Sequence, residues 1–428
     1  MRSVIPHLRN ERLFVNMKAE KIEGASLYWL NESCLDDIAS SLGVKTLDEC
    51  REKILRRYAL RLTDVNFKTA SAEVYADYYG SSGVTYFGGS GRAAVVDAVQ
   101  IKGIGKTPLI SSYTNWFHSN GAVGLSEAVR EAIYSSIMAR EFPFETVPVW
   151  GIINCGDTIS MPDGKNISRA LIIRPFVLRP SHVERALAYG HTKESFNRSF
   201  HVQDIARVKA WIPIAFPYGK ISLLALAERL GAQCAHAHVY HWYHGGWFSS
   251  ITDVGGRLID FGSTRSVESW LSLSHEPGEP PFGSEVEYCK RTLRSVSGML
   301  ERYGGLRNEM QLAIHVFNEA YKSSVLNALK RVLRSSVDLG EIEFDEFQTH
   351  FKRAQRGSSS LEAVEVERSF YIKLGVSKKI PIFFSPALSR EAVEEDAYFI
   401  EKGNWYKSSQ SAIDKLIALH VEDRDILR

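Results

Sequence analysis

The chain has 428 residues, 44% of them hydrophobic and 24% charged, proportions that exclude a fibre, a collagen or a disordered tail. Its 52 Lys and Arg against 50 Asp and Glu leave a net charge of +2, so no global field exists to hold a nucleic acid or an anionic membrane. Five scattered cysteines (Cys34, Cys50, Cys155, Cys234 and Cys289) without a C-x-x-C pair argue against a disulfide framework or a zinc ribbon and fit a reducing compartment. The charged amino-terminal segment and the lack of an apolar run of roughly 18 residues lead to the expectation of a cytoplasmic protein.

The first 70 residues read as a helical preamble, in which Leu35, Ile38, Ala39 and Leu42 recur at helical spacing between a capping Ser33 and a terminating Gly43. Residues 71–185 change to short β-rich segments, Val84–Phe87, Ala93–Val99 and Val147–Ile153, around a helix from Ser126 to Arg140 whose apolar residues occupy much of its circumference. Residues 186–428 read as a helical lobe, with Leu223–Leu230 and Glu309–Phe317 as its most periodic stretches. One β-hairpin is expected inside it, Ser249–Thr252 and Arg257–Asp260 around the turn Asp253-Val-Gly-Gly256. The loop His275–Gly283 and the stretch Arg356–Ser360 read as linkers.

A β-rich lobe with one helix, then a helical lobe interrupted by a hairpin ending in Asp260-Phe-Gly262, is an α+β, protein-kinase-like two-lobed layout. In such a site the Asp after the hairpin holds Mg²⁺ on the nucleotide phosphates, because a hard cation needs a carboxylate at a fixed point between the lobes. A strand lysine paired with a helix carboxylate completes the phosphate contact. Lys102, in Val99-Gln-Ile-Lys102-Gly-Ile-Gly105, and Glu131, in the middle of the largely apolar helix, fit those two posts. An unpaired carboxylate on that helix is costly, so Glu131 is expected to have a partner.

From here the sequence resembles the SelO family of kinase-fold protein adenylyltransferases, over roughly residues 30 to 300. Ala72-Glu-Val-Tyr-Ala76 and Gly89-Ser-Gly-Arg-Ala93 look like the family's segments ahead of the nucleotide lysine. Val99-Gln-Ile-Lys-Gly-Ile-Gly-Lys-Thr-Pro108 is similar to its Q-L-K-G-S-G-x-T-P signature, and Val129-Arg-Glu131 to the I-R-E of its helix. The resemblance implies ATP and Mg²⁺ as cofactors and AMP transfer as the activity. It places Gly89, Gly91, Arg92, Lys102 and Arg174 at the nucleotide, with Glu131 orienting Lys102 and Asp260 on the metal. Arg185, in Pro180-Ser-His-Val-Glu-Arg185, corresponds to the family's second phosphate arginine but sits one residue late in the motif, and Arg179 competes for that post.

The catalytic loop departs from the family. His244 to Gly262 aligns without a gap to H-G-V-M-N-T-D-N-M-S-I-L-G-L-T-I-D-Y-G, which puts Ser250 where the family has its base Asp and Ile251 where it has its metal Asn. Asp253 lies in the hairpin turn and is expected to point away from the phosphates. The family's selenocysteine has no counterpart, since no Cys follows Cys289. A nucleotidyl transferase acting on a peptide or small-molecule acceptor, with a carboxylate as the acceptor that needs no base, is therefore expected. The alternative is a catalytically reduced pseudoenzyme that binds a partner enzyme. His236, His238, His241 and His244 read as a packed aromatic helix end and not as a metal site, and neither Gly89-x-Gly91 nor Gly103-x-Gly105 has the setting of a dinucleotide fingerprint.

Overall fold

The computed structural model describes residues 4–62, 72–80, 89–110, 116–186, 198–274, 279–333, 339–376 and 409–427. The expected strand Val84–Phe87 and residues 275–278 of the first linker lie outside them. Among these residues an antiparallel sheet fills the first half of the chain and helices fill the second, the α+β architecture with a β-rich first lobe and a helical second lobe expected from the sequence.

The first 70 residues are not a helical preamble. They contribute β1 (Phe14–Lys21), β2 (Ser26–Leu30) and β3 (Leu60–Leu62) to the sheet, besides α1 (Leu35–Leu42) and α2 (Leu47–Tyr58). Both helices end or begin for local reasons. Gly43 closes α1 with φ 65°, a left-handed turn that costs glycine nothing. Thr46 and Glu49 form a reciprocal capping box on α2. Ser33 does not cap α1; its hydroxyl donates to Asn31 instead.

The sheet continues through β4 (Ala72–Asp77), β5 (Ala93–Val96), β6 (Val99–Lys102), β7 (Val123–Gly124), β8 (Gly151–Ser160) and β9 (Asn166–Pro175), in the order β2-β8-β9-β6-β5-β4-β1-β3 with β7 beside β9. The run Ala93–Val99, expected as one strand, turns at Asp97 and Ala98 and becomes the β5–β6 hairpin. The four-residue α3 (Trp116–Ser119) precedes β7, and α4 (Leu125–Glu141) follows it directly. Gly124 is the N-cap of α4 and Ser126 lies inside the helix.

Strand alternation then sorts the lobe into layers. Val99, Ile101, Leu171 and Ile173 pack with α1 and α2 on one face of the sheet, while Ile172 and Ala170 join α4 on the other. Gln100, Lys102 and Arg174 share that second face, since Gln100 stands directly opposite Arg174 in the β6–β9 ladder. The sheet therefore carries a polar stripe to the side that meets the helical lobe.

That lobe is built from α5 (Arg198–Ala215), α6 (Lys220–Val239), α7 (Glu285–Tyr303), α8 (Glu309–Val332), α9 (Glu341–Ala354) and α10 (Ser360–Lys373), plus a short pair β10 (Trp242–Tyr243) and β11 (Arg265–Ser266). Gly231 lets α6 and α8 approach closely: a Cβ there would lie 2.5 Å from the Phe317 carbonyl oxygen. No single helix among the described residues is long and apolar enough to cross a membrane. The expected hairpin shrinks to a tight turn with one bridge, Thr252 to Leu258. A last helix, α11 (Ser409–Leu427), returns to the first lobe and packs on α4 and β2, burying Ala412, Ile413, Leu416 and Ile417.

Candidate nucleotide site

Three elements bring the chemistry together. Lys102 ends β6, Glu131 sits on the sheet-facing side of α4, and Asp260 follows the turn of the helical lobe. Lys102 Nζ donates to Glu131 Oε2 at 2.6 Å and to Asp260 Oδ1 at 3.1 Å. Arg174 Nη1 bridges the same two carboxylates, at 2.9 Å to Glu131 Oε1 and 3.1 Å to Asp260 Oδ1, and its Nε donates to Gln100 at 2.8 Å. The partner that burial demands for Glu131 is thus a pair of cations, and groups up to 158 positions apart in sequence meet at one point.

Asp260 is the exposed corner of this network. Its side chain is 29% accessible, against 2% for Glu131 and 3% for Arg174. Its backbone lies at φ 61°, a left-handed conformation rare for residues other than glycine and one that Asp tolerates better than most. Phe261 anchors it by burying its ring 5.4 Å from that of His244, edge to face. Burial alone would push the Asp260 carboxyl up, but Lys102, Arg174 and Arg179 outweigh it and hold the group well below its usual range. Asp260 is therefore a carboxylate at any physiological pH.

The network opens on a cavity of about 670 Å³. Five cations line it, Arg92, Lys102, Arg130, Arg174 and Arg179, against two lining carboxylates, Glu127 and Asp260, a surplus of three positive charges, of which Glu131, paired with Lys102 behind the wall, offsets one. Arg92 donates to Glu127 Oε1 at 2.9 Å. Arg179 is buried, with its guanidinium 4.9 Å above the Tyr79 ring. Its backbone N–H donates to His182 Nδ1 at 2.9 Å, which leaves Nε2 of His182 to donate to Asp77 Oδ2 at 3.1 Å. A buried Asp–His pair, fully enclosed, thus fixes the turn that presents Arg179.

Arg185 does not reach the cavity. Its Nε donates to Asp204 at 2.5 Å and its Nη1 to the Tyr303 hydroxyl, so of the two competitors for the second phosphate position, the one at the cavity is Arg179. Gly91 and Arg92 line the cavity while Gly89 lies behind it, where a Cβ would lie 2.6 Å from the Asp77 carbonyl oxygen. Ile251 lines the cavity wall and Ser250 does not. Asp253 turns inward on its own hairpin, accepting from Arg257 N at 2.8 Å and Arg257 Nε at 2.7 Å, so it offers nothing to the cavity.

Glu127, Arg130 and Tyr79 line the cavity but were not among the residues read from the sequence. Glu127 was recoverable, because it precedes Glu131 by four residues and so shares its helix face. The histidines are held apart by separate partners. His238 lies between the Tyr321 hydroxyl and Glu285, at 2.8 and 3.0 Å, and His241 pairs with Glu367 at 2.9 Å. Among the described residues no group of three or more His, Cys, Asp and Glu side chains forms a metal site. Asp260 alone fits a Mg²⁺ ion, which takes one or two protein carboxylates and completes its shell with water and phosphate oxygens.

No family model matches the chain, and no curated protein matches it. Among solved structures it is similar to the kinase domain of a Toxoplasma gondii specific rhoptry antigen, at 9% identity and a TM-score of 0.30, over 67% of this chain and 85% of that one. A likeness that distant says nothing about chemistry at the cavity.

Proposed function

We propose that the cavity binds the triphosphate of a nucleotide, ATP in the first instance, and that the chain is a SelO-like nucleotidyl transferase that moves AMP to an acceptor arriving as an anion. The observation that carries this reading is the composition of the cavity: five cations around Asp260 at one end, with Ile251 in the wall where a kinase-like loop needs a polar ligand. Guanidinium groups suit the spread charge of phosphate oxygens, and a closed set of them stabilises a polyanion without drawing on bulk solvent. Lys102 and Arg174 neutralise phosphate oxygens, Glu131 holds both cations in place, and Arg179 reaches in from the turn fixed by Asp77 and His182. Asp260 would hold Mg²⁺, which supplies further charge neutralisation when bound.

Among the described residues, the two loop positions at the acceptor end offer no base. Neither Ser250 nor Ile251 can take a proton from a hydroxyl at neutral pH, whereas general-base help is worth roughly 10²–10⁴-fold for such acceptors. A carboxylate avoids the need. Its oxygen forms a new bond to the α-phosphorus while the bond to the bridging oxygen breaks, pyrophosphate leaves, and no proton moves. The product is an acyl-adenylate of a peptide or a small carboxylic acid.

The test uses ATP labelled at the α or the γ position, with hydroxylamine as a trap and candidate carboxylates or peptides as acceptors. Acceptor-dependent pyrophosphate release with a hydroxamate as product is expected, and Lys102→Ala and Asp260→Ala should abolish it. Transfer of the γ label would overturn AMP transfer and leave nucleotide binding intact. The second reading, a pseudoenzyme serving a partner, is favoured by one observation: Lys102, Arg174, Glu131 and Asp260 already satisfy one another. It predicts that both substitutions leave the partner's activity unchanged.

A further inference from the structure

A second cavity, of about 650 Å³, lies behind the β lobe's first strands, between the amino-terminal turn, α2, the end of β1 and the β5–β6 turn. It shares no lining residue with the first. Five cations border it, Arg9, Lys21, Lys53, Arg56 and Arg57, against two carboxylates, Glu73 and Asp97. On a chain whose whole net charge is +2, a local surplus of three positive charges is a concentrated field.

The acids do not neutralise it. Asp97 is taken by Arg57 at 2.6 Å. Glu73 accepts from the Tyr75 hydroxyl at 2.9 Å and lies 3.9 Å from Arg9. Lys21, Lys53 and Arg56 make no ion pair among the described residues. Two of them are nevertheless fixed: Lys21 Nζ donates to the Arg56 carbonyl near the end of α2, and Lys53 Nζ to the Leu42 carbonyl at the end of α1. Each ammonium keeps further N–H donors for something else. The crowding acts on Lys21, whose pKa is drawn below the usual range first by burial and then by Arg57 and Arg56.

We propose that this rear cavity is a binding site for a small multivalent anion, a phosphorylated or pyrophosphorylated metabolite, held by Lys21, Lys53 and Arg56. Its size matches that of the first cavity and its cations converge on a concave surface, so it fits a compact ligand better than the side of a long polymer. The site is independent of the nucleotide reading, and its test separates the two.

The probe is inorganic pyrophosphate, added to the full chain during lysine acylation by an N-hydroxysuccinimide ester and followed residue by residue by mass spectrometry. Acylation of Lys21 and Lys53 is expected to slow severalfold while that of exposed Lys18 does not change. Sodium chloride at equal ionic strength should protect neither. In calorimetry, pyrophosphate should give two binding events. The Lys21→Gln, Arg56→Gln double variant weakens one of them by roughly tenfold or more and keeps the other, and Lys102→Ala has the reverse effect. Equal protection by chloride, no protection at all, or stronger protection by poly-glutamate than by pyrophosphate would each overturn the proposal, the last by assigning the surface to an acidic protein. Should the double variant fail to fold, the footprint on the unmodified chain decides the matter.

Discussion

The two cavities have nearly equal volumes, about 670 and 650 Å³, and each is bordered by five cations, yet they are built on opposite principles. In the front cavity the cations are interleaved with carboxylates on a sheet strand and a helix, and Glu131 and Arg174 are almost wholly enclosed. In the rear cavity they are crowded at helix ends and on a strand end, with Asp97 and Glu73 beside only Arg57 and Arg9 and backbone carbonyls as the partners of Lys21 and Lys53. Enclosed charge must carry its own counter-charge because the interior does not solvate it. Charge at the surface can wait for a ligand, since water bears the cost meanwhile. The same residue types therefore make a preorganised site in one place and an ion trap in the other.

Substitutions can break this contrast, beginning with the largest effect. Glu131→Ala leaves Arg174 and Lys102 without their principal carboxylate, and removing one partner of a buried pair costs about 3–5 kcal/mol. Urea unfolding should show that loss, with Glu131→Gln losing less, while pyrophosphate protection of Lys21 is unaffected wherever the variant remains folded. Next, Arg179→Ala should weaken ATP binding by roughly tenfold or more, the scale of a hydrogen bond to a charged group. Arg185→Ala should leave the affinity within about twofold, because Arg185 is spent on Asp204. Calorimetry with a non-hydrolysable ATP analogue checks both, and the opposite ranking would restore Arg185 to the phosphates.

Acid should reveal the enclosed carboxylates. Asp77, Glu127 and Asp260 are each raised by burial but brought below their ordinary values of 3.8, 4.5 and 3.8, Asp77 chiefly by the hydrogen bond from His182 and then by Arg179, Glu127 and Asp260 by the cations beside them. The unfolded chain therefore takes up protons before the folded chain does, and stability present above those values falls as the pH drops through and below them. Replacing Asp77 with Asn should flatten that acid limb, as followed by thermal unfolding across pH. The smallest effect belongs to the rear cavity. Arg56→Gln without ligand should change stability by no more than about 0.5 kcal/mol, and in the stabilising direction, because it relieves repulsion and breaks no pair.

Much of the front site was legible in the sequence because a kinase-like layout names its posts: a strand lysine, a carboxylate on the apolar helix and the Asp after a turn, which Lys102, Glu131 and Asp260 fill, while Arg174 came from the family resemblance. The first 70 residues were misread although β1 carries a strand signal: Val15, Met17 and Ala19 alternate with Asn16, Lys18 and Glu20, but the helical spacing of Leu35 to Leu42 was extended over the whole segment. The Arg179 position turned on a short turn, Pro180–Val183, whose direction is set by Asp77 on a distant strand. No spacing rule reports such a contact.

The final described helix gives this arrangement an order in time. Asp414 accepts from Trp29 Nε1 at 2.9 Å, and Gln410 exchanges hydrogen bonds with the backbone of Leu30 at 2.7 and 2.8 Å, so α11 is clipped to β2 while it packs on α4, the helix that carries Glu131. On a ribosome α11, which starts at Ser409, emerges 278 residues after Glu131. A growing chain therefore carries the lysine, both carboxylates and the arginines well before it can hold them in register.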